Sequence, residues 1–331
     1  MTAFYDWIAT PFGWLLGLFY DFSDNYLVSI LVITVIIKLL LLPSAIKQQK
    51  NSAKQMRLQA KINKIRAKYA GQGREAQMKI SEETQELYRR EGFNASTAGC
   101  LPMAIQLFVM MGLYGAIYSP LSKVLRLSSE VIANLKTAYN ALPIDDLDPK
   151  NTRVELQLLH KFSEMHDGLD PAIVTEEVHQ KIESLIKGLT FWKIDLTQTP
   201  SDSFKAEGMN LLILVPILAG VTALLSSVFM YIRQRKTNPE MAKNPAMGCM
   251  TFFSPLISVV FAFTLPAGIG FYWIISNILS FIQTVGLAAA FKPEAVIAEQ
   301  MIDETVQRRS REQSVKIRKA LLEAHNEKKN G

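Results

Sequence analysis

With only two cysteines in 331 residues, Cys100 and Cys249, the chain has no disulfide framework to build on and no C-x-x-C pair to grip a metal. Both open apolar blocks, where a cysteine serves as a small hydrophobe. Histidine is scarce as well, four in all, and His160, His166 and His179 stand at spacings that match no compact zinc site. Asp145, Asp146 and Asp148, beside Pro143 and Pro149, read as a solvated turn rather than a calcium loop. No H-E-x-x-H, G-x-S-x-G or phosphate-binding glycine loop occurs. Acids are missing from every long apolar run, which leaves an intramembrane proton relay or aspartyl protease without its carboxylate. The expectation is a protein that is not an enzyme and needs no cofactor or metal. A basic amino-terminal segment is also missing, and Pro11, Asp21 and Asp24 break the first apolar stretch, so no cleavable signal peptide is expected.

What the chain has is apolar residue in blocks. Hydrophobic residues make up 49% and mean hydropathy is +0.13, between a soluble domain and a transporter. The apolar runs fall at 26–46, 97–119, 209–232, 249–265 and 268–290, each near the roughly 20 residues that cross a bilayer as a helix. Leu265-Pro266-Ala267-Gly268 makes the last two an antiparallel pair with almost no loop. The expected fold is all-α: a polytopic membrane protein with five transmembrane helices and a helical hairpin in the cytoplasm. Ahead of them, residues 1–25 form an external N-terminus, in which 11–22 suits an amphipathic helix on the membrane surface, with Trp14 and Tyr20 at headgroup level.

Charge then orients the spans. Segment 47–96 carries twelve Lys and Arg against five acids, and Gly71-Gln72-Gly73 splits it into two helix-like halves, the predicted hairpin. Segment 120–208 reverses the balance, with fourteen acids against ten bases, and Val178, Ile182, Leu185 and Ile186 mark at least one amphipathic helix there. Loop 233–248 has Arg233, Arg235, Lys236 and Lys243 against Glu240, and the tail 291–331 carries a basic cluster. With five spans, all three basic segments share one side. The excess of positive charge on cytoplasmic loops puts that side inside a plasma membrane, the N-terminus and 120–208 outside, and the C-terminus in the cytoplasm.

Lys38 is the sharpest single residue. It lies twelve residues into the first span, roughly 18 Å along the helix, too deep for easy snorkelling. An ammonium at that depth costs on the order of 3 kcal/mol or more unless it faces a wet or protein-lined cavity. Thr34 lies one turn earlier on the same face; Gln106 sits in the second span, and Ser276, Asn277 and Gln283 in the fifth. One charge with several amides and hydroxyls across three spans favours a hydrated, positively charged groove over isolated helix–helix hydrogen bonds. Tyr272 and Trp273 are aromatics of that groove or of the membrane interface. In the tail, Arg308, Arg309, Arg311, Lys316, Arg318 and Lys319 suit RNA phosphates, with anionic lipid as the competing partner. A small-solute transporter or channel with Lys38 as anion ligand is the alternative function, disfavoured by an odd span count and no evident paired repeat. A passive scaffold is a third.

TVIIKLLLLP in the first span, AGCLPMAIQ opening the second, FWKIDL at 191–196 and LPAGIGFYWIISNIL joining the last two stand in an order and spacing that resemble the YidC/Oxa/Alb family of membrane protein insertases, in its five-span Gram-positive form. The resemblance covers residues 11–119 and about 190–290. It implies that Lys38 occupies the position of the family's groove cation. It also implies that Thr34, Gln106, Tyr272, Trp273, Ser276 and Asn277 line or support a groove open to cytoplasm and lipid, which receives the polar end of a nascent segment. The basic hairpin and the tail then match the family's cytoplasmic hairpin and ribosome-contacting extension. Nascent membrane proteins, the ribosome and lipids are the implied partners, with a Sec translocon a further candidate and DNA none. Three departures stand out. Lys replaces the commoner Arg and gives up its bidentate fork. Phe108 stands where many members carry a proline, and the 120–208 loop is long.

Overall fold

The computed structural model describes residues 2–70, 73–93, 101–142, 153–165, 168–237 and 245–330, and they are essentially all helix. The chain divides into two compact units, one of residues 1–42 and 103–284, the other of 43–102 and 285–331.

The first unit begins with α1, Thr2–Ser23, longer than the 11–22 helix expected and with Pro11 inside it. Ile8, Ala9, Leu16 and Tyr20 make its buried stripe at helical spacing, while Trp7, Trp14, Leu18 and Phe22 stay exposed. Asp24, at a left-handed φ of 49°, turns the chain. Asn25 then caps α2, Tyr26–Leu40, accepting from Leu27 N at 3.0 Å and Val28 N at 3.2 Å. After α5, Leu101–Tyr118, the region expected to hold at least one amphipathic helix holds five among the described residues: α6 Pro120–Lys123, α7 Ser129–Asn140, α8 Val154–His160, α9 Glu176–Gly188 and α10 Pro200–Glu207. A two-residue antiparallel pair, β1 Thr190–Phe191 and β2 Ile194–Asp195, sits among them, a small departure from the all-α expectation. The turn expected around Asp145, Asp146 and Asp148 and the residue His166 lie outside the described residues.

One apolar core runs through this unit. Ile30 and Ile33 of α2 and Leu113 and Ile117 of α5 join Leu121, Leu135, Leu158, Phe162, Ile182, Leu185 and Leu196. Burial of each such side chain contributes about 1.5–3 kcal/mol, so the described residues of 120–208 share one packed core with α2 and α5.

Next come α11, Leu214–Thr237, and α12, Pro245–Thr264, which pack side by side; a Cβ on Gly220 would collide with Val259. Then comes α13, Ala267–Ala290, where a Cβ on Gly270 would likewise meet Val215 of α11 at 2.5 Å. Ile217, Leu218, Val221, Leu224, Leu225, Leu256, Val260, Ile278 and Ile282 point outward and exposed. So much outward apolar surface on regular helices belongs in lipid, where the backbone must satisfy its own hydrogen bonds. Among the described residues two helices are long and apolar enough to cross a membrane, Leu211–Arg233 and Ala267–Ala290, or three if α2 and the helix after it form one broken span. Shorter apolar stretches, Leu107–Tyr118 and Pro255–Thr264, fall within the second and fourth runs read from the sequence.

The second unit contains α3, Leu42–Lys68, α4, Gly73–Arg90, and α14, the long tail helix Pro293–Asn330. Leu58 and Ile62 pack with Leu87, Tyr88 and Phe93. Around that small core, Glu91 accepts from Arg57 at 2.9 Å and from Lys61, and Glu83 from Lys68 at 2.6 Å and the Tyr69 hydroxyl at 2.5 Å. The Lys61 hydrogen bond holds the Glu91 carboxyl below the usual range, and the Lys68 and Tyr69 hydrogen bonds do the same for Glu83. On α14, Val296 is buried, Gln300 Nε2 donates to the Lys50 carbonyl at 3.2 Å, and Glu299 lies 3.8 Å from the Lys50 ammonium.

Candidate functional site

Within the first unit, Lys38 on α2 reaches α13. Its Nζ donates to Ser280 Oγ at 2.7 Å. Ser280 in turn donates to the Ser276 carbonyl at 2.6 Å, and Thr284 to the Ser280 carbonyl at 2.7 Å. Tyr272, Ser276, Ser280 and Thr284 recur every four residues and so line one face of α13. Among the described residues no carboxylate lies within ion-pair distance of Lys38. The site therefore offers a half-buried cation whose protein partner is a neutral hydroxyl, and its charge remains to be balanced by something else.

The other expected groove residues divide. Ser276 is next to the Lys38 partner and 7% exposed, and Tyr272, 2% exposed, sits one turn earlier. The rings of Tyr272 and Trp273 lie 6.3 Å and 6.4 Å from that of Tyr114 on α5, and Trp273 is also 5.8 Å from Phe261 on α12. Asn277 turns to α11, donating to the Ala219 carbonyl at 3.2 Å and Thr222 Oγ1 at 3.3 Å. Thr34 is buried, with its hydroxyl on the Ile30 carbonyl at 2.5 Å. The side chain of Gln106 lies outside the described residues. Ser280 and Thr222, which make the polar contacts, were not singled out from the sequence. The four-residue repeat of hydroxyls in an otherwise apolar run was the available signal for Ser280.

The start of α13 is fixed by the region above it. Its first N–H groups would lack partners, as at any helix start. Here Ala267 N donates to the Gln198 carbonyl at 2.8 Å and Gly268 N to the Leu196 carbonyl at 2.9 Å. That segment is held by Asp195, whose carboxylate takes Thr197 N at 2.9 Å, Thr197 Oγ1 at 2.6 Å and the His160 ring at 2.7 Å. Burial works to raise the Asp195 carboxyl, but the hydrogen bonds from His160 and Thr197 outweigh it and hold the group low. Glu155 is the converse. Burial pushes it up although it accepts from Ser122 N at 2.9 Å and Oγ at 2.6 Å.

Of the tail cations, Arg308, Arg309, Arg311, Lys316, Arg318 and Lys319 are all exposed on α14, and at 100° per residue they occupy about half its circumference. Arg308 also borders a cavity of about 470 Å³ with Arg57, Lys61, Glu91, Met301 and Thr305.

Comparison with known proteins bears on what these sites belong to. Residues 18–294, well over half the chain, match the family model described as 60Kd inner membrane protein. Membrane protein insertase YidC 2 of Listeria innocua is 26% identical over 315 residues, covering 93% of this chain and 82% of its own length. Membrane protein insertase MisCA of Bacillus subtilis is 25% identical over 262 residues, covering 79% and 70%. A shorter match, 34% identical over 108 residues, joins 32% of this chain to 42% of the membrane protein insertase YidC of Oceanobacillus iheyensis. These relatives are membrane proteins named as insertases rather than enzymes, and the chain belongs to their family, the 60Kd inner membrane proteins of the YidC/Oxa/Alb group.

Proposed function

We propose that this chain is a membrane protein insertase that receives the polar leading end of a nascent segment beside Lys38 and releases the apolar remainder into lipid. The observation that carries the reading is the Lys38–Ser280 pair. It is a cation in an apolar helix whose partner among the described residues is a hydroxyl, and an arriving carboxylate would complete its balance. The names of the relatives support the same class of function.

In this reading five spans cross the plasma membrane, 26–46, 97–119, 209–232, 249–265 and 268–290. The N-terminus and 120–208 lie outside, and the basic segment 47–96 forms a cytoplasmic helical hairpin. Tyr272, Trp273 and Ser276 line the groove with Lys38, and Asn277 and Thr34 support its walls. Gln106 belongs to the same proposal by its place in the second span. No nucleotide is needed. A wet groove shortens the hydrocarbon path for the polar end, and burial of the client's apolar helix, at roughly 25 cal/mol per Å², supplies the drive. The tail cations engage the ribosome.

The test is replacement. A host is depleted of its own insertase and asked whether this chain restores insertion of a small membrane client. Restored insertion supports the reading. Solute flux without insertion would establish the transporter alternative, and neither activity would leave only a scaffold.

A further inference from the structure

Where β1 returns as β2, the chain turns on Trp192 and Lys193, at φ 46° and 67°. Two consecutive left-handed residues are what a tight hairpin of this kind demands, and Asn-Gly is the unstrained way to supply them. Here the strained position holds a tryptophan that is 84% exposed, with the Phe191 ring stacked on it at 5.8 Å and an interplanar angle of 10°. The two rings offer exposed aromatic area side by side, and the structure fixes the level at which it is offered.

Three contacts set that level. The Phe191 ring lies 5.6 Å from that of Phe271, the fifth residue of the span Ala267–Ala290. The Leu196 carbonyl, just past β2, accepts from Gly268 at the first turn of the same span. Strand β2 contacts the 3-10 turn Leu211–Ile213, where the span Leu211–Arg233 begins, and Met209 and Leu211 beside it are exposed. The turn is pinned to the starts of both candidate spans, so where the two cross a membrane they start on the same side of it.

We infer that the Phe191–Trp192–Lys193 turn is a lipid-contact site, with Trp192 seated at the boundary between headgroups and acyl chains in the leaflet where these two spans begin. The chemistry fits the place. Indole combines a large apolar face with one N–H donor and concentrates at membrane interfaces, and the exposed Lys193 ammonium beside it suits lipid phosphate. The inference stands apart from the insertase reading, because it depends on where the spans start and not on what the groove carries.

The experiment uses full-length protein with Trp192 as its sole tryptophan, through Trp7→Phe, Trp14→Phe and Trp273→Phe, reconstituted in phosphatidylcholine–phosphatidylglycerol vesicles. Lipids carrying bromine either near the headgroup or near the chain end report depth. The expected result is emission shifted to the blue of free tryptophan and stronger quenching by the shallow bromines. Water-like emission unquenched by either lipid overturns the inference. So does blue-shifted emission without quenching, which would mean a protein surface covers the ring. Should the triple variant fail to fold, Trp192→Cys in a Cys100→Ser, Cys249→Ser background, carrying an environment-sensitive label, reads the same depth with the same two overturning outcomes.

Discussion

Lys38 and Ser280, separated by 242 positions in sequence, meet at 2.7 Å, ammonium to hydroxyl. The contact joins α2 to α13 through a pair that leaves a full positive charge unneutralised by any described carboxylate.

Charge at that point, rather than the hydrogen bond, is what the proposed function requires. Lys38→Arg should preserve insertion. Lys38→Ala should lower insertion of clients with acidic leading segments by about tenfold or more, a difference of about 1.4 kcal/mol. Lys38→Glu should be worse, through repulsion, and Ser280→Ala milder than either. Protein levels should stay normal in all four, since an intramembrane charge stabilises little. Complementation with immunoblotting of the membrane fraction checks this; full activity of Lys38→Ala on several acidic clients would reduce Lys38 to a snorkelling side chain.

Asn277 is expected to matter for stability instead. Its amide ties α13 to α11 through Ala219 and Thr222. Asn277→Leu should cost about 0.6 kcal/mol and at most about 1.7, the range of hydrogen bonds between membrane helices. Thermal unfolding in detergent measures it, and an unchanged midpoint would show the tie to be idle.

Two carboxylates of the 120–208 domain should give opposite pH trends. Asp195 is held low, so its contribution is present above its unfolded pKa and is lost as pH falls through the lower folded one. Glu155 is raised, so its contribution is present below its unfolded pKa and is lost as pH rises through the higher folded one. Asp195→Asn should therefore flatten the acid side of a stability–pH curve, and Glu155→Gln the side above it. Melting curves across a pH series decide, and a variant whose curve parallels wild type removes that group from the account.

Orientation is open to labelling. In a background with Cys100 and Cys249 replaced by serine, a cysteine at exposed Ser81 should be protected from an impermeant thiol reagent in intact cells, and one at exposed Ser163 should react. The reverse pattern would invert the topology and with it the cytoplasmic opening of the groove.

Deleting 305–331 removes the six clustered tail cations together with Lys328 and Lys329 and should weaken ribosome co-sedimentation. The salt dependence should flatten as well, by about one unit of slope for each phosphate that is no longer neutralised. Equal binding by both forms across a salt series would exclude the ribosome as the tail's partner and favour lipid.

The apolar runs and Lys38 were legible because hydrophobic length and a misplaced charge are local properties. Contacts were less so. Periodicity placed Thr34 on the Lys38 face, but its hydroxyl could be satisfied within its own helix, at the Ile30 carbonyl, and burial followed. Asn277 was read toward the same groove, although the 100° step from Ser276 turns it to α11. Segment 120–208 showed at least one amphipathic helix, that of Ile182 and Leu185, but other core residues, Leu121 and Leu158 among them, sit on helices too short to show a period. The β1–β2 turn was invisible for a simpler reason: Trp-Lys is not a sequence that asks for two left-handed residues.

The carbonyls of Leu196 and Gln198 that receive the first N–H groups of α13 are made some seventy residues before it. In the proposed topology they must already have crossed to the far side of the bilayer, folded around Asp195, when the α12–α13 pair arrives during synthesis. A chain in which α11 or α12 alone failed to cross would strand those donors and acceptors on opposite faces. The cap thus works as a checkpoint on the protein's own assembly, closing only when an odd number of crossings separates Gln198 from the cytoplasmic loop and a further one returns the chain to meet it.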